Sequence, residues 1–153
     1  MAGELVLVID DSPTILKVVQ LVLTKAGFSV DTANDGEEGI AHAAKKRPDL
    51  ILLDFVMPKM NGYQVCRALA EIASLTNVPV VLMSAKGDQV GERFVKVMGI
   101  VDYITKPFSP EAITAVVQHT IAVTAGSSAF RHRPPRRRSR VSPSALGPAS
   151  LLG

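Results

Sequence analysis

Five short apolar runs alternate with five helix-like stretches over residues 5–123, and this alternation restricts the chain more than any other feature. Leu5-Val6-Leu7-Val8-Ile9 and Leu50-Ile51-Leu52-Leu53 show neither two-residue alternation nor helical spacing. They read as strands covered on both faces. Further strands are predicted over 28–33, 78–83 and 101–104. Between the first two runs, Ser12 followed by Pro13 is a cap with proline at the first helical position, and the helix it opens carries Ile15, Leu16, Val19, Val22 and Leu23 on one stripe. Gly27 closes it. Other helices are predicted over 37–46, 62–73 and 89–98, with a last one opened by Ser109-Pro110 and running to Val123. Strict succession of β–α units implies an α/β fold: a doubly wound, five-stranded parallel sheet with helices on both faces and right-handed crossovers.

Polar residues collect at one end of these runs. The first strand ends in Asp10 and Asp11, the third in Asp54, the fourth in Ser84 and the fifth in Lys106. In an open parallel sheet the carboxyl ends of the strands border a crevice where the strand order reverses, so these side chains are expected to converge there. Asp54 stands eight residues before the helix at Gly62, too far to cap it. Three neighbouring carboxylates repel, and one would take up a proton unless a cation intervened. An all-oxygen donor set suits Mg²⁺ rather than Zn²⁺. Taken singly, each residue also has an ordinary reading: Asp10 or Asp11 as a competitor for the Ser12 cap, Ser84 as a turn residue, Lys106 as a solvated lysine, Tyr103 as strand packing. Only their joint placement carries chemistry.

The net charge of +3 conceals a division. Residues 1–130 hold 11 Lys and Arg against 14 Asp and Glu, a balance of −3, while residues 131–153 hold six Arg and no acid, a balance of +6. The basicity therefore gives no argument that the domain grips nucleic acid. A domain over residues 4–123 and a basic, Pro/Ser/Arg-rich tail over 124–153 are expected, the tail lacking the apolar periodicity of a second core and reading as a disordered linker or extension. Nothing in the tail resembles a helix-turn-helix, so a dedicated DNA-binding domain is not expected. The single cysteine, Cys66, excludes an internal disulfide framework and falls among the apolar positions Val65 and Leu69 of a helix. No apolar run approaches the ~18 residues of a membrane span and no leader pattern is visible, so a cytoplasmic location is expected.

Asp10-Asp11 after the first strand, Asp54 followed by Met57-Pro58 and Asn61-Gly62, Ser84-Ala85, and Tyr103-Ile104-Thr105-Lys106-Pro107-Phe108 together resemble the receiver domain of two-component response regulators. The resemblance covers about residues 4–123, and the single-domain chemotaxis-type regulator is the nearest simple comparison. It implies a flavodoxin-like (βα)5 fold and a role for each residue. Asp54 would accept a phosphoryl group from a sensor histidine kinase or a small phosphodonor. Asp11, Asp54 and the backbone carbonyl of Val56 would bind Mg²⁺, with Asp10 helping through a water. Lys106 would pair with one phosphoryl oxygen and Ser84 would donate to another, and Tyr103 would turn inward into the space that Ser84 vacates. The Lys106–Pro107 bond would be cis. A downstream protein, or an effector domain, would dock on the face formed by the fourth and fifth helices and fifth strand, about 89–98 and 101–123. Chemistry would be limited to self-catalysed phosphoryl transfer and hydrolysis, so the chain is not expected to be an enzyme.

Two departures and three alternatives bear on that expectation. Val56 and Lys86 flank the phosphoryl site, and Val56 cannot hydrogen-bond an attacking water, which predicts slow loss of phosphate. Gly39 stands where the family usually has alanine and costs about 1 kcal/mol of helix propensity. An aspartate-nucleophile phosphatase of the haloacid dehalogenase type would need a DxD arrangement that Asp10-Asp11-Ser12 lacks. A flavodoxin-like cofactor binder would want a hydroxyl-rich loop where Asp10 and Asp11 would repel phosphate. A receiver-like interaction module that works without phosphorylation is the third, although its pocket would have no need of the complete residue set found here.

Overall fold

The structure is a computed structural model and describes residues 3–85 and 100–131. Five strands, β1 (Leu5–Ile9), β2 (Ser29–Ala33), β3 (Leu50–Asp54), β4 (Val80–Ala85) and β5 (Ile100–Lys106), form one sheet in the order β2-β1-β3-β4-β5. All neighbouring pairs are parallel. The chain winds from β1 outward to β2 and then back across to β3, so the order reverses between β1 and β3. Helices α1 (Pro13–Lys25), α2 (Gly36–Lys45), α3 (Gly62–Ala70) and α4 (Pro110–Arg131) connect and follow the strands. Met1–Ile121 form one unit and Ala122–Gly153 a second.

The unbroken apolar runs follow from a sheet covered on both faces. Successive strand residues point to opposite sides. Leu7 and Ile9 of β1 with Ile51 and Leu53 of β3 meet Ala43 of α2 and Val65 and Leu69 of α3. Val6, Val8, Leu50 and Leu52 face the other way, against Val19 and Leu23 of α1 and Ile113 and Val117 of α4. Burying each such side chain contributes about 2 kcal/mol, so neither layer is dispensable.

Local signals place the helix ends. Ser12 Oγ accepts the Ile15 N–H at 3.3 Å, Asp35 Oδ1 accepts the Glu38 N–H at 2.8 Å, and Ser109 Oγ accepts the Ala112 N–H at 3.1 Å. Gly27, at φ 101°, occupies the left-handed region after α1, which favours glycine.

Several expected boundaries move. Strand β4 begins at Val80 rather than 78, because Pro79 has no N–H to give the ladder and contributes only its carbonyl, to Ile51 N at 3.0 Å. Helix α3 ends at Ala70 rather than near 73, since Ile72 is extended and the chain turns through a short 3-10 segment, Ala73–Leu75. Strand β5 runs from Ile100 to Lys106 instead of 101–104 and carries a register shift: Ile100 faces Val80 but Asp102 faces Val81, leaving Val101 as the extra residue. Helix α4 continues to Arg131 rather than stopping at Val123, so the expected disorder does not begin at residue 124. No proline interrupts before Pro134, and extending an existing helix costs far less than starting one.

Gly39 is not merely a propensity cost. A methyl at this position would lie 2.7 Å from Ile9 Cγ1 and closer still to Ile9 Cδ1, so the missing side chain lets α2 settle on β1. The predicted helix over 89–98, Lys86, and residues 132–153 lie outside the described residues. Among the described residues no helix is long and apolar enough to cross a membrane.

Candidate functional site

Strand register assembles the site. Ile9 pairs with Leu53, so Asp10 emerges from β1 beside Asp54, the last residue of β3. Asp54 pairs with Met83, and the next residue of β4 is the buried Ser84. Lys106 ends β5 opposite Ala85. Its long stem reaches past β4 to the first and third strands, where Nζ donates to Asp10 Oδ2 at 2.8 Å and to Asp54 Oδ1 at 3.2 Å.

Asp10 is fully enclosed, at 0% exposure. Its second oxygen accepts the Ser12 N–H at 2.9 Å, which fixes the entry to α1 without displacing Ser12 from its own cap. Asp10 thus supports the start of α1 rather than competing with Ser12 for the cap, while its other oxygen meets Lys106. Asp11 is exposed at the rim, and one oxygen from each of Asp10, Asp11 and Asp54 lies within 4.8 Å of the others.

The electrostatics follow from this crowding. Burial, and then the charge of Asp10, push the Asp54 carboxyl up to about 6; Lys106 opposes this by charge and hydrogen bond, and Asp11 adds a smaller upward push. Burial alone would lower the Lys106 ammonium, but its bonds to and attraction by Asp10 and Asp54 outweigh that and shift it upward. Three carboxylates against one ammonium leave two negative charges over, which a hard divalent cation on oxygen donors such as Mg²⁺ would balance. The donor set fits such an ion.

The loop after Asp54 is tightly held. Phe55 N donates to Met83 O at 2.9 Å, Gly62 N to Phe55 O at 2.7 Å and Met60 N to Pro58 O at 2.7 Å, while Lys59 takes φ 70°. Asn61 and Gln64 cap α3 reciprocally, each side chain accepting the other's backbone N–H at 2.9 Å. An Asn-x-x-Gln box is a readable signal that the sequence reading passed over.

Of the residues singled out from sequence, Asp10, Asp11, Asp54 and Lys106 come together, with Ser84 at the adjoining strand end. Val56 in the loop is 57% exposed, and Tyr103 on β5 is 58% exposed, facing solvent rather than the carboxylates. The Lys106–Pro107 peptide is cis.

The profile of the response regulator receiver domain matches residues 6–118. Protein PilH of Pseudomonas aeruginosa is 34% identical over 117 residues, spanning 76% of this chain and 97% of that protein. The alkaline phosphatase synthesis transcriptional regulatory protein PhoP of Bacillus subtilis is 37% identical over 113 residues, but the chain spans only 46% of its length. Among solved structures, the chemotaxis protein CheY4 of Vibrio cholerae superposes with a TM-score of 0.73 at 32% identity, covering 77% of this chain and 98% of that one.

Proposed function

This chain belongs to the response regulator receiver domain family, and from that premise we propose that it accepts a phosphoryl group on Asp54 from the phosphohistidine of a sensor kinase and thereby switches the binding of a partner protein. One observation carries the reading: Lys106, from the last strand, bridges Asp10 and Asp54, from the first and third, at the edge where the strand order reverses.

Asp54 acts as the nucleophile in its ionised form. A carboxylate oxygen attacks phosphorus, the bond from phosphorus to the imidazole nitrogen breaks, and the imidazole leaves with the electron pair. Asp11, Asp54 and the Val56 carbonyl would hold Mg²⁺, with Asp10 helping through a water, and the ion when bound supplies neutralisation of the incoming anion and of the charge that develops in transfer. Lys106, already bonded to Asp54, pairs with a phosphoryl oxygen, and its compact charge on a flexible stem suits a partner that arrives and leaves. The Ser84 hydroxyl donates to another oxygen. Tyr103 then leaves its solvent-facing position for the space beside Ser84, altering the face that includes β5, on which the partner docks.

This chemistry is self-catalysed acceptance and slow hydrolysis, not turnover of a separate substrate. The exposed Val56 offers no group to orient water, so the acyl phosphate persists. The reading places the chain in the cytoplasm, where it meets its kinase. Incubation with acetyl phosphate and Mg²⁺, followed by intact-mass measurement, is expected to add one phosphoryl group to the wild type and none to Asp54→Asn. An unmodified wild type, or a modified Asp54→Asn, overturns the proposal.

A further inference from the structure

We propose that Gly36 is a positioning residue for the loop that follows Asp54, so that the start of α2 sets the geometry at which Asp54 and the Val56 carbonyl meet a cation and a phosphoryl group. The inference rests on the reading of Asp54 given above. Gly36 is the first residue of α2, and the Asp35 cap fixes where that helix begins. A methyl on Gly36 would lie 2.7 Å from Met60 Sδ, 2.8 Å from Val65 Cγ2 and 3.1 Å from Met60 Cβ. Carbon atoms in folded proteins settle near 3.5–4.0 Å, so there is no room for a side chain between the start of α2 and the loop and first turn of α3.

Within the same loop, a methyl on Gly62 would lie 3.0 Å from Phe55 Cα and 3.3 Å from the Asp54 carbonyl oxygen. The segment from 54 to 62 thus meets close glycine contacts at Met60 and at Phe55. Bulk added at 36 pushes Met60 and Val65, and the push passes through Gly62 to Phe55 and Asp54. Met60 Sδ lies far along a flexible side chain and can swing aside. Val65 cannot: it is β-branched, fully enclosed and part of the core against α2 and α3.

The test compares the wild type with Gly36→Ala, Gly36→Ala/Val65→Ala and Met60→Ala, measuring Mg²⁺ affinity by calorimetric titration, phosphorylation rate with acetyl phosphate by intact mass, and melting temperature separately. Gly36→Ala is expected to weaken Mg²⁺ binding by about tenfold, the scale seen when groups that orient a metal's ligands are disturbed, and to slow phosphorylation in step. The added Val65→Ala vacates the stiff contact and restores Mg²⁺ affinity even though it lowers the melting temperature, a split that loss of stability alone does not produce. Met60→Ala removes the side chain by which the loop packs on the core, without adding bulk, and weakens Mg²⁺ binding as well, which decides the matter if Gly36→Ala fails to fold. Wild-type affinity and rate in Gly36→Ala, a defect that persists in the double variant, or wild-type Mg²⁺ affinity in Met60→Ala overturns the positioning role alone. A wild type that takes no phosphoryl group overturns the reading of Asp54 and this inference with it.

Discussion

At the scale of single residues, Asp54 works against the stability of the fold that holds it. Its carboxyl is pushed up to about 6 by burial and by Asp10, so between pH 4 and 6 the folded chain keeps a proton that the unfolded chain has released. Stability therefore falls as pH rises through that window, and the whole cost is present above it. In chelator, Asp54→Asn should be more stable than wild type by about 1–3 kcal/mol at pH 7, with the gain gone near pH 4, as read by urea unfolding at both values. Adding Mg²⁺ should raise the midpoint of the wild type and leave Asp54→Asn much less changed. Lys106 has the opposite sign, since its upward shift means that its stabilisation is complete at neutral pH and is lost only above the ordinary lysine range. Lys106→Met leaves enclosed carboxylates unpaired and should cost about 2–3 kcal/mol at pH 7, measured the same way, the higher figures for buried pairs being reduced by its partial exposure. The clash among three acids was readable from their places after apolar runs. Which oxygen Lys106 approaches more closely was not, because that depends on how far its stem reaches across β4.

At the scale of elements, the sequence yields existence and order more readily than edges. Leu5–Ile9 and the start of α1 at Pro13 were legible because a cap, a proline and an abrupt end to apolar residues coincide there. The extra residue Val101 in β5 was not, because a register shift is a property of two strands and leaves no mark on one. Gly39 shows how a local reading can take the wrong sign. Propensity treats the glycine as a loss, while the Ile9 side chain beneath it makes the glycine necessary. Gly39→Ala is accordingly expected to destabilise by about 1–3 kcal/mol through overpacking, despite the better helix former, and chemical denaturation checks it. A gain in stability would restore the propensity argument.

At the scale of the whole molecule, the site and both packed layers belong to the unit Met1–Ile121. Removing residues 132–153 should leave Mg²⁺ affinity, melting temperature and phosphoryl acceptance by Asp54 unchanged; a fall in any of the three would give those residues a part in the site. The doubly wound sheet was legible because its five-fold alternation admits few other arrangements. The expected docking face was not legible in the same way, since a docking face needs no fixed motif, and its stretch 89–98 lies outside the described residues.

Lys106 and Asp10 are 96 positions apart along the chain, yet they share a hydrogen bond. A polypeptide that has laid down its first four strands but not its fifth has the carboxylates without the ammonium that steadies them. The pocket is therefore finished only when the last strand joins the sheet, and a bridged pair of acids doubles as a certificate that folding is complete.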